Sequence, residues 1–224
     1  MPIVLNHIEI RVLGALMEKE VTTPDYYPMS LNALVNACNQ KSNREPVMQL
    51  DDQTVLDTLD SLREKKLIWH RSVVGARVLK YEHNIKSLYP LSEQEFGVVC
   101  VLFLRGPQTV GEIRQRTERL CSFNSLPEAE EVLRELINRD DGPFITELPR
   151  QVGRKEPRFV HLFAGQEWID ELIETSESSS PVVVKSGKEE LLKRIDTLEE
   201  IVAQLQNELS EVRQEFHDFR RQLE

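Results

Sequence analysis

The sequence predicts a mainly α-helical fold with small β-hairpins, an α+β architecture of two similar halves followed by a separate C-terminal helix. Two helix-start signatures of one design, each followed by two more amphipathic helices and a hairpin, predict the halves. A seven-residue apolar repeat running to the C-terminus predicts the last helix.

Each half opens on a capping box. In LNHIEIRVLGAL, from Leu5, and LSEQEFGVVCVL, from Leu91, a polar N-cap (Asn6, Ser92) is followed three residues later by Glu (Glu9, Glu95). The cap side chain accepts from an amide of the first turn while the Glu reaches back to the cap amide. Two donors that a helix start leaves unpaired are thus satisfied together. Leu5 with Ile10 and Leu91 with Phe96 form the flanking hydrophobic staple that fixes how the chain enters the helix.

The next elements repeat in order. A second short helix is predicted from Ser30 (SLNALVNAC) and from Thr109 (TVGEIRQRTERLC). A third is predicted near Asp52 (DQTVLDTLDSLREKKL) and near Pro127 (PEAEEVLRELINR). Val55, Leu56, Leu59 and Leu62, and likewise Val132, Leu133, Leu136 and Ile137, recur at helical spacing and give each third helix one buried face. β-rich runs broken by Gly or Pro follow. IWHRSV, Gly75 and RVLKYEH read as one hairpin, and FITEL, PRQVGRKEP and RFVHLF as another with a longer tip. Three helices and a hairpin, given twice, predict two tandem winged-helix domains, residues 1–90 and 91–174.

These segments carry a resemblance. YYPMSLNALVNACNQKSNREPVM in the first half, LRGPQTVGEIRQRTERL in the second and FVHLFAG at its close resemble the bacterial YceH-like family of uncharacterised proteins, from Leu5 to about Gly165. The resemblance implies a tandem winged-helix fold. It implies no established activity.

Residues 175–187, TSESSSPVVVKSG, are Ser-rich without helical period and predict a flexible linker. Residues 188–224 then predict a coiled-coil helix. Ile195, Val202, Leu209, Phe216 and Leu223 fall at a positions, and Leu191, Leu198, Leu205, Val212 and Phe219 at d positions. In a parallel pair Arg194 would face Glu199, Glu208 would face Arg213 and Glu215 would face Arg220, all attractive. The helix therefore predicts a homo-oligomer, with a dimer favoured. The alternative is a helix folded back on its own chain.

Several function classes are disfavoured. The N-terminus lacks a basic segment and meets charges before a spanning length of apolar residues accumulates, which predicts a cytoplasmic protein without a membrane segment. Cys38, Cys100 and Cys121 are far apart, without CxxC or a His at ligand spacing, and read as core thiols. No phosphate loop, GxSxG, HExxH or metal-spaced cluster occurs, so no enzyme, cofactor or metal is expected. His161 alternates with Phe159 and Phe163 and reads as a packed strand residue rather than a base.

A winged helix directs attention to DNA, and charge tests it. Residues 1–90 carry 11 basic and 11 acidic groups, residues 91–175 carry 10 and 16, and the whole chain is at −10. The third helices begin acidic, with Asp51, Asp52, Asp57 and Asp60 in one and Glu128, Glu130, Glu131 and Glu135 in the other. Positive charge remains in two places. One is the polar stretch Asn39, Gln40, Lys41, Asn43 and Arg44. The other is the second hairpin tip, with Arg150, Arg154, Lys155 and Arg158. Amide side chains can bond base edges and arginines can bridge phosphates, so these nine residues are the candidate contacts for nucleic acid or a partner. About ten residues separate the second and third helices, too many for a tight helix-turn-helix, so the polar stretch reads as a surface loop on a rigid frame. Its other reading is structural: Glu45 before Pro46 leaves helical geometry, and the loop ends the second helix and satisfies its carbonyls. Two functions follow. The first is a DNA-associated regulator or nucleoid-type factor touching DNA through wing and loop. The second is an acidic interaction scaffold, similar to the tandem winged-helix subunits of bacterial chromosome-condensing complexes.

Overall fold

Local capping signals set where the helices of the first half begin, as a computed structural model shows; it describes residues 3–71, 78–150 and 156–178. Helix α1 (His7–Thr22) starts on the expected capping box: Asn6 Oδ1 accepts from the Ile8 and Glu9 amides, both at 2.9 Å, and Glu9 Oε2 accepts from the Asn6 amide at 2.8 Å. Helix α2 (Leu31–Cys38) starts after Ser30, whose hydroxyl accepts from the Ala33 amide. Helix α3 (Asp52–Glu64) starts after Asp51, whose carboxylate accepts from the Thr54 amide at 2.7 Å. The hairpin follows as strands β2 (Ile68–Arg71) and β3 (Lys80–His83), antiparallel with His70 opposite Tyr81. A two-residue strand not expected from the sequence, β1 (Met29–Ser30), pairs with β3 and gives the sheet order β1-β3-β2. The single turn α4 (Ile85–Leu88) leads into the second half.

The second half repeats the order. Helix α5 (Glu93–Arg105) starts on the Ser92–Glu95 capping box, α6 (Val110–Thr117) on a third such box formed by Thr109 and Glu112, and α7 (Leu126–Asn138) after Ser125. Strands β4 (Ile145–Leu148) and β5 (Arg158–His161) pair antiparallel with Glu147 opposite Phe159. Gln108 bridges to Phe159 through both backbone groups, at 3.0 and 2.7 Å, and takes the place that β1 holds in the first half. Helix α8 (Gln166–Ser178) closes the described chain and carries helical backbone past Thr175, where the Ser-rich linker was expected to begin. Mixed helices and small antiparallel sheets bear out the α+β class. The heptad residues Leu191 to Leu223 lie outside the described residues.

Helices α1 and α5 are apolar around most of their circumference, and such helices must be covered on every side. They cover each other. At their crossing Gly14 meets Phe103 and Leu104 so closely that a Cβ there would stand 3.0 Å from Phe103 Cβ, and the Gly14 carbonyl lies 3.6 Å from Cys100 Sγ. The N-terminal segment joins the halves again, its Leu5 amide donating to the Phe163 carbonyl at 2.7 Å. Residues through Ser178 accordingly form one compact unit. Cys38 and Cys100 are buried in it, as core thiols should be. Among the described residues no helix is long and apolar enough to cross a membrane.

Candidate functional site

The polar loop, residues 39–51, turns much of its polarity inward. Arg44 was expected at the surface as a phosphate contact; it is instead 5% exposed. Its fork grips Glu18 of α1, with Nη1 at 3.1 Å from Oε1 and Nη2 at 2.6 Å from Oε2, while Nε donates to the Ala37 carbonyl at 3.0 Å. Burial alone would raise the Glu18 carboxyl, but Arg44 outweighs it and holds the pKa below the usual carboxylate range. Asn39 closes the loop on itself, donating to the Leu50 carbonyl at 2.7 Å and accepting from its amide at 2.8 Å. Asn43, at φ 59°, accepts from Arg105 of α5, and the Glu45 amide donates to the Leu104 carbonyl at 2.8 Å. Gln40 is half-buried and Lys41 is exposed. The loop thus ends α2 and ties the two halves together. Of its candidate residues, Lys41 alone presents a charge to solvent.

At the second hairpin Arg150 is exposed at the end of β4, and Arg154 and Lys155 lie outside the described residues. Arg158, the fourth residue of that tip, does not join Arg150 in solvent. It begins β5 half-buried, with Nε fully covered and without a hydrogen-bond partner.

The faces of the two third helices are acidic. Asp52, Asp57 and Asp60 are exposed on α3, and Glu130, Glu131 and Glu135 on α7. Several of the bases nearby are paired, while Lys66 is exposed after α3. Arg63 bonds Asp60 at 3.0 Å, Arg134 bonds Glu131 at 2.6 Å, and Lys65 reaches back to Glu9 at 2.6 Å.

Arg158 opens onto a cavity of about 480 Å³ that both halves build. Helix α1 supplies His7 and Arg11, the end of α5 and the turn after it Arg105 and Gln108, α6 Glu112 and Arg116, β5 Arg158 and His161, and α8 Trp168 and Leu172. Glu45, Pro46 and Met48 of the polar loop form one rim. Arg11 is 2% exposed and donates to the carbonyls of Cys38 at 3.2 Å and Pro46 at 2.6 Å. Burial and then the charge of Arg44 push its pKa down. His161 stacks on Trp168 with centroids 4.9 Å apart, and Phe103 meets its ring edge-on at 5.0 Å. Burial, with the nearby His7, pushes the His161 imidazole down to about 3, so it is neutral at neutral pH.

Residues 5–154 match the family profile described as "Protein of unknown function, DUF480". The chain belongs to this family. A UPF0502 protein of Photobacterium profundum is 45% identical over 218 residues, 96% of this chain and 97% of its own. One from Pelobacter propionicus is 47% identical over 224 residues, the whole of both chains. One from Vibrio campbellii is 49% identical over 208 residues, 91% of this chain and 92% of its own. The resemblance to an uncharacterised bacterial family is thereby borne out.

In this DUF480 chain the sequence reading missed Arg11, Gln108 and Trp168 as members of one site. A signal existed for Arg11 alone: a lone arginine between Ile10 and Val12 in an apolar helix implies a buried guanidinium with a purpose. Gln108 and Trp168 lie in different elements and carry no such mark. Among the described residues no group of three His, Cys, Asp or Glu could hold a metal ion.

Proposed function

We propose that this chain is a non-enzymatic tandem winged-helix scaffold that holds a protein partner with a basic surface and assembles through its C-terminal coiled-coil helix. The acidic exposure of α3 and α7 carries this reading: in a winged helix the third helix is the element that enters the major groove, and here its solvent face bears Asp57 and Asp60 in one half and Glu131 and Glu135 in the other. Such faces repel phosphate and attract a basic protein surface. The inward turn of Arg44, Asn39 and Asn43 supports the same reading, since it takes from DNA the contacts expected of the loop. Tandem winged-helix subunits of chromosome-condensing complexes are the design it resembles.

DNA association is the second reading, and the exposed Arg150 beside the basic run Arg154 and Lys155 favours it. In that case the wing bridges phosphates without the recognition helices. Fluorescence anisotropy of the full chain on a mixed-sequence duplex separates the two. The scaffold reading expects no binding even at low salt, together with a co-purifying partner that is lost when Asp57 and Asp60 are changed to Lys. Duplex binding that weakens steeply as salt rises, by about one log unit in affinity per log unit of salt for each phosphate contact, overturns it.

A further inference from the structure

The cavity of about 480 Å³ between α1, α5, β5 and α8 is lined by every residue that, among the described residues, holds a buried side-chain polar atom without a hydrogen-bond partner: Arg11 (Nε), Gln108 (Oε1), Arg158 (Nε) and His161 (Nδ1). Folded proteins leave few such atoms, and their gathering in residues around one cavity is a property of that cavity rather than scattered imperfection. We infer that this cavity is a binding site for a small organic anion, a carboxylate or phosphate carried on an apolar, ring-sized body.

Charge gives the anion. Four arginines and two glutamates line the space, and Glu112 is engaged by Arg116 at 3.3 Å and by the Thr109 amide at 2.9 Å. Neither Arg11 nor Arg158 has a carboxylate within ion-pair distance among the described residues. Water could fill hydrogen bonds at the orphaned nitrogens, but it brings no countercharge to a guanidinium as deeply buried as Arg11. An acid group does both, and the forked donors of arginine match a carboxylate or phosphate edge.

The apolar wall gives the body. Trp168, Phe103, Leu102 and Met48 line the same space, whose volume is that of a small-molecule site rather than of an ion site. Gln108 adds direction. Its Nε2 is held by the carbonyls of Arg105 at 3.1 Å and Pro107 at 2.8 Å, which fixes the amide and leaves Oε1 an unpartnered acceptor beside the cavity, one that a hydroxyl on the ligand would satisfy by a small shift of the side chain. The site is independent of the partner surfaces on α3 and α7.

The chain has two tryptophans, and Trp69 is 47% exposed on β2, so Trp69→Phe leaves Trp168, in the cavity wall, as the sole tryptophan and the only residue excited at the red edge of the absorption band. Titrating that full-length variant with benzoate and with phenyl phosphate should change its emission saturably with a midpoint below about 1 mM for at least one, while neutral benzamide has no effect. Arg158→Gln should raise the midpoint at least about tenfold, the loss expected for one charge-assisted contact. Should that variant melt early, Gln108→Leu serves as a second one and should weaken binding of 4-hydroxybenzoate more than of benzoate. No saturable response to either acid, an equal response to benzamide, or a midpoint unmoved in both variants overturns the proposal.

Discussion

The carboxylate of Glu18 on α1 lies 2.6 Å from the guanidinium of Arg44, a residue of the polar loop that its composition marks as surface. The pair is buried, and Arg44 also satisfies carbonyls of Ala37 and Asn43. Removing one partner leaves the other charge uncompensated in the core. Arg44→Ala is therefore expected to cost about 3–5 kcal/mol, whereas Lys41→Ala three residues earlier should stay within about 0.5 kcal/mol. Urea denaturation of the two variants tests this, and equal midpoints would contradict the inward placement of Arg44.

Acid should weaken the fold through Glu20. Hydrogen bonding from His83 at 3.1 Å, and then from Lys86 at 2.6 Å, draws its carboxyl from the ordinary 4.5 to about 2 against the opposing effect of burial. A depressed folded-state pKa means that the contribution is complete above pH 4.5 and is lost as pH falls towards about 2. The side chain is partly solvated, so about 1 kcal/mol is expected after screening. Glu20→Gln should lower stability at pH 6 by that amount and converge with the parent near pH 2. A gap that stays constant across this window would refute the assignment.

Close approach at Gly97 sets a steric test. A Cβ on this residue would stand 2.6 Å from Cys121 Sγ, inside any tolerable contact, so Gly97→Ala should cost about 1–3 kcal/mol by overpacking. Cys121→Ala removes the obstructing sulfur. The double variant should recover most of the loss, because the two positions share one contact. Additive losses in thermal melts would show that helix geometry rather than the sulfur limits the site.

The proposed assembly through the heptad residues is tested by mutation. On that proposal, replacing Leu205 and Leu209 with Asp would put carboxylates at a and d positions at a cost of several kcal/mol, and light scattering should report a dimer for the parent chain and a monomer for the variant. An unchanged mass excludes the coiled coil. A chain ending at Ser178 should remain folded and melt in one transition, because the residues up to that point form a single unit in which α1 and α5 cover each other.

Signals confined to a few neighbouring residues were legible in the sequence. The capping boxes at Asn6 and Ser92, the apolar faces of α3 and α7, and both hairpins stand where the pattern put them, since a cap, a helical face or a turn is decided within about one to three turns of chain. Partners far apart in the chain were not legible. Glu9 and Glu95 were read as local caps, yet each also receives a base from the end of its own third helix, Lys65 at 2.6 Å and Arg139 at 2.9 Å. Arg44 and Arg158 were indistinguishable from solvated arginines, and Arg11 was marked only by its apolar neighbours, until packing assigned Arg44 to a carboxylate and placed the other two beside a shared cavity. A sequence specifies the charge such a side chain carries. Only the fold specifies what surrounds it, because the cost of burying a charge depends on which distant elements supply its countercharge.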